Sequence, residues 1–106
     1  MGLCIADGFT LDGLLPSRCG VHGEVRFKYR PALPERVVEF LRADTTTPAK
    51  EMNNTCKFLL EQLVSWEDDA LLSEGSLRHC LHADLTVLVN HCTGYSGTDW
   101  SEREKN

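Results

Sequence analysis

The sequence predicts a small α+β domain, an N-terminal β-hairpin packed on a bundle of about four short helices. Two observations predict it. Glu24–Arg30 alternates strictly, with Val25, Phe27 and Tyr29 on one face and Arg26, Lys28 and Arg30 on the other, the period-two pattern of a half-buried strand. After Pro31 the apolar spacing lengthens to threes and fours, the period of amphipathic helices. A chain of 106 residues, 42% hydrophobic and 25% charged, can bury a modest core without disulfide or metal staples. One compact unit is therefore expected over residues 1–97, with residues 98–106 as a polar, disordered tail.

Upstream of the clear strand, Phe9–Leu15 is a weaker strand, and the turn-rich segment Pro16–Gly23 returns the chain antiparallel as a long hairpin. A lone hairpin is marginal in water, so its apolar face must cover helices. The first helix starts at Pro34, groups Val37, Phe40 and Leu41 on one face, and ends near Asp44. Thr47 then serves as N-cap and Pro48 as first residue of the longest helix. Its stripe is Ala49, Met52, Cys56, Leu59, Leu60 and Leu63, running on to Trp66. Glu67–Gly75 reads as an acidic linker. Ser73 or Ser76 caps a short helix carrying Leu77, Cys80 and Leu81, and a last helix from about Ala83 to Thr93 groups Leu85, Leu88, Val89 and Cys92 before Gly94 at its C-terminal end.

The net charge of −5 is uneven. Seven Lys and Arg against six Asp and Glu leave residues 1–50 at +1, while four against ten leave residues 51–106 at −6. That balance argues against a nucleic-acid binder, which needs a basic face to displace phosphate counterions. Arg26, Lys28, Arg30 and Arg36 form the main basic patch and read as a solvated strand face rather than a phosphate site. No run approaches the ~20 apolar residues of a membrane span. Met1–Ala6 begins like an acylation signal, but Ala6 stands where Ser or Thr is required, so an untargeted terminus is expected.

The stretch His79–Cys92, HCLHADLTVLVNHC, holds three of the four histidines and two of the five cysteines. Cys19-x-x-His22 with Cys80-x-His82 could be cast as the paired ligands of a zinc site. Against this, Cys56, Cys80 and Cys92 fall on apolar helix stripes, where cysteine behaves as a small hydrophobe. An odd cysteine count without C-x-x-C spacing points to reduced thiols. His79 and Cys80 are adjacent, hence ~100° apart on a helix, which is poor geometry for a nucleophile and its base. Histidines 79, 82 and 91 read as surface or helix-end polarity. Glu67–Asp69 is a solvated run, and no phosphate-binding glycine loop is present. A binding role leads over an enzymatic one.

Three apolar residues lie off their stripes: Val38 a quarter turn from Val37, Phe58 opposite the Cys56–Leu59 face, and Val87 away from Leu85 and Leu88. Each either buries against a third layer or stays exposed for docking. The order of features also resembles small tail assembly chaperones of long-tailed phages and prophages. The resemblance spans residues 25–90: a β segment ending in Tyr29–Leu33, a helix closing on Leu63–Trp66 with acidic residues after it, and Ser73–Leu77 in place of a Thr-x-Glu-Asn-Leu segment, leading to Leu81 and Asp84-Leu85. It implies a cofactor-free, non-enzymatic protein of the host cytoplasm that binds the tape measure protein and keeps it soluble while tail tube protein polymerises around it. Val38, Phe58, Trp66 and Val87 are the candidate partner-binding residues, and self-association is a further expectation. The alternatives are a structural tail or head-tail subunit and a small zinc-binding regulatory module.

Overall fold

The computed structural model describes residues 5–94. It is an α+β globule: a three-stranded antiparallel sheet and four helices, in the order β1 (Leu11–Leu15), β2 (Val25–Tyr29), α1 (Pro34–Arg42), α2 (Pro48–Gln62), β3 (Leu63–Trp66), α3 (Glu74–Arg78) and α4 (His82–Thr93). The expected hairpin is formed, with Leu11 opposite Tyr29 and Leu15 opposite Val25. Alternation along β2 is complete: Val25, Phe27 and Tyr29 are buried while Arg26 and Lys28 are exposed. Gly13 faces Phe27 across the hairpin, and a Cβ there would lie 2.4 Å from the Phe27 ring, so the aromatic side chain occupies the space that glycine leaves.

The sheet departs from the sequence expectation at its third strand. Helical spacing continues through Leu63 and Trp66, yet α2 stops at Gln62 and the next four residues pair with β2. The stop is made by β2's end: Arg30 donates its backbone N–H to the Gln62 carbonyl at 2.7 Å, and the Gln62 side-chain amide donates to the Arg30 carbonyl at 2.7 Å. A bulge follows, since Tyr29 pairs with Leu63 and Lys28 with Ser65, leaving Val64 as the extra residue.

Helix termini follow local chemistry. Thr47 accepts from the Lys50 N–H with Pro48 in the first turn, Ser73 accepts from the Ser76 N–H, and Gly94 closes α4 in the left-handed region at φ 85°. The core joins the sheet's inner face to α2, α3 and α4 through Phe27, Tyr29, Cys56, Phe58, Leu59, Leu77, Leu85, Leu88 and Cys92. Helix α1 is peripheral. Val37 is buried and Phe40 half-buried, but Leu41 is exposed, as are Leu60 on α2 and Leu81 before α4, all three expected on buried stripes. The Ala32 N–H donates to the Cys92 carbonyl at 2.8 Å and ties the approach to α1 onto the end of α4. The proposed 98–106 tail lies outside the described residues.

Candidate functional site

Of the four candidate partner-binding residues, the structure leaves one openly exposed. Val38 is 44% exposed on α1, where Leu41, one turn on, is 63% exposed. Phe58 is a correction: it is fully buried, stacked on Phe40 with ring centroids 4.3 Å apart and with the Arg36 guanidinium 5.1 Å from its ring centre. The face of α2 that looked free is the face α1 covers. Arg36 also ion-pairs with Glu61 at 2.6 Å and so holds α1 against α2 above that aromatic pair. Val87 and Trp66 are half-buried and packed on the core, and Trp66 donates its indole N–H to the Ala70 carbonyl at 2.7 Å. The Trp66–Glu67 step therefore closes a strand instead of a helix.

Helices α1, α2 and α4 frame a groove of about 380 Å³, with Phe40, Met52, Leu85 and Val89 among its lining and the exposed Glu51 and His82 beside them. Its wall is mostly carbon, because the half-buried ends of three helix stripes converge there. Sequence reasoning assigned these residues to core stripes and missed that the stripes meet at an open groove. On the sheet, a second concavity of about 620 Å³ mixes Arg26 and Lys28 with Asp12, Glu24 and Glu67. The expected basic patch is thus a mixed-charge surface, and its fourth member, Arg36, is engaged with Glu61 and Phe58.

One charged cluster is built into the fold. Asp84, in the first turn of α4, is only 4% exposed and is the buried polar or charged residue among those described. The Arg18 Nε donates to its Oδ1, and the His22 Nε2 lies 2.7 Å from its Oδ2. Burial pushes the Asp84 carboxyl up, but the hydrogen bonds from Arg18 and His22 outweigh it and hold the group below the usual aspartate range. The Gly23 carbonyl, 2.6 Å from His22 Nδ1, and then Asp84 raise the imidazole above its ordinary value. Sequence reading named Asp84 only within the resemblance and weighed His22 only as a metal ligand. A contact spanning 62 residues leaves no local pattern to find.

The zinc arrangement of Cys19, His22, Cys80 and His82 is not formed: His22 uses both ring nitrogens on Gly23 and Asp84. Among the described residues no three His, Cys, Asp or Glu side chains stand where they could hold a metal ion. Cys19, Cys56, Cys80 and Cys92 are free thiols. Burial pushes Cys92 up to about 12, and it raises Cys56 and Cys80 in the same direction, so these three are poor nucleophiles. His91 differs from the expected surface polarity, since it packs edge-on against Phe27 at 5.2 Å and Tyr29 at 5.8 Å. No described helix is long and apolar enough to cross a membrane.

Neither protein-family models nor curated proteins nor solved structures give a match to this chain. The groove between α1, α2 and α4, with the exposed Val38 and Leu41 on the same α1, is the chemistry to be explained.

Proposed function

We propose that the protein is a non-enzymatic binding module that takes up apolar side chains of a partner's helix, acting as a tail assembly chaperone for a tape measure protein. The observation that carries this reading is the groove lined by Phe40, Met52, Leu85 and Val89. Helix-in-groove recognition uses such a mostly apolar trough, with anchors one turn apart on the guest and polar groups beside it to set orientation. Val38 and Leu41 extend apolar surface on α1. A groove this small holds one or two anchors, so a single contact is weak. Retention then comes from many copies along one long guest, where linked sites multiply weak affinities.

The test is co-expression with a long helical tape measure protein, scoring solubility and co-purification. A partner made soluble and recovered in complex supports the chaperone; a partner that stays insoluble while this chain folds normally removes it. A structural tail subunit is the second reading, favoured by β1, which is an outer strand of the sheet and exposes Leu11 and Leu14. A subunit would form a fixed ring without the guest, which light scattering of the isolated protein detects.

A further inference from the structure

The connection between β1 and β2 is fastened to a helix far away in sequence. It folds on itself first: the Arg18 N–H donates to the His22 carbonyl at 2.9 Å, and the Val21 and His22 N–H groups donate back to the Arg18 carbonyl, with Gly20 at φ 80° allowing the reversal. The reversal lets the Arg18 and His22 side chains reach the same carboxylate, that of Asp84. The charged groups acting on His22 are Asp84 from α4 and Arg18 from its own turn, and Cys80 in turn feels Asp84.

Both acceptors facing the imidazole are oxygens without a proton to give: the Gly23 carbonyl at Nδ1 and the Asp84 carboxylate at Nε2. A neutral imidazole carries one N–H and can satisfy only one of them, whereas the imidazolium satisfies both. We propose that Arg18, His22 and Asp84 form a proton-operated latch: protonated His22, bonded through both ring nitrogens, clasps the 16–23 connection to the start of α4, and loss of that proton removes one of its two bonds and loosens the connection, which Arg18 still holds to Asp84. The loosened segment carries the exposed Cys19 and the 61%-exposed Val21, so the surface it offers changes with pH.

The sign follows from linkage. His22 has a raised folded pKa, so its contribution is complete below the unfolded histidine value near ~6.5 and is lost as pH rises through the folded one. Asp84 has a lowered folded pKa, so its contribution is present above the unfolded aspartate value near ~3.9 and is lost as pH falls through the folded one. The latch is closed between the two.

Nitrogen-15 NMR of the imidazoles in the intact protein from pH 5 to 9, with amide hydrogen exchange of residues 17–24, tests this. Both His22 nitrogens should carry protons at pH 6, and His22 should titrate above the ordinary imidazole value. Protection of residues 17–24, corrected for the intrinsic pH dependence of exchange, should fall about tenfold for each unit by which the folded pKa exceeds the unfolded one. His22→Gln should abolish that pH dependence. A neutral His22 tautomer at pH 6, titration at or below the ordinary imidazole value, or pH-independent protection in the wild type overturns the proposal. The wild-type spectra decide it even if the variant fails to fold.

Discussion

At the residue scale, position on a helical wheel does not settle exposure when a second helix covers the wheel's far side. Phe58 sits opposite the α2 stripe, yet Phe40 and Arg36 of α1 bury it completely. Phe58→Ala should therefore cost about 3–5 kcal/mol, as for other large core aromatics, and Phe58→Glu should abolish folding. Urea melts followed by circular dichroism check both, and a Phe58→Glu protein with native helicity would return the residue to the surface. Gly13 is the complementary case. A methyl group there meets Phe27, whose ring is held by Tyr29 and His91, so Gly13→Ala should destabilise by about 1–3 kcal/mol through overpacking. A neutral Gly13→Ala in the same melts would mean that the ring swings aside freely.

At the element scale, start signals were legible and one stop was not. Thr47, Pro48 and Gly94 each act within a few positions along the chain, so the sequence places them, and it narrows the remaining cap to Ser73 or Ser76, of which the structure uses Ser73. Thr47→Ala should cost about 1 kcal/mol in the same melts, with an unchanged midpoint counting against the cap. The end of α2 depends instead on Arg30, 32 residues upstream of Gln62. A short apolar run such as Leu63–Trp66 suits either period, and only strand β2, with its free edge alongside, selects the extended form.

At the scale of the whole molecule, the surface available to a partner is what the packing leaves uncovered. Val38 is the candidate that the structure keeps exposed, on a helix whose buried side is Val37 and Phe40. Val38→Glu should leave the folding stability within about 0.5 kcal/mol of wild type while weakening recovery of the co-expressed partner. A Val38→Glu protein that recovers the partner fully would show that α1 is not the docking helix. The groove beside it was invisible in the sequence, because its walls come from three helices and each contributes residues that read locally as core.

By itself the sequence determined the α+β class, the hairpin and its buried face, the helix caps, and the cysteines at 56 and 92 as core, because alternation, periodicity and capping act within a few residues of one another. Tertiary structure decided the third strand, the burial of Phe58, the opening of the groove and the meeting of Arg18, His22 and Asp84. Each of these joins groups from distant parts of the chain. Such contacts depend on how whole elements pack, and packing is resolved by shape and charge across the core, with no trace in the local order of residues.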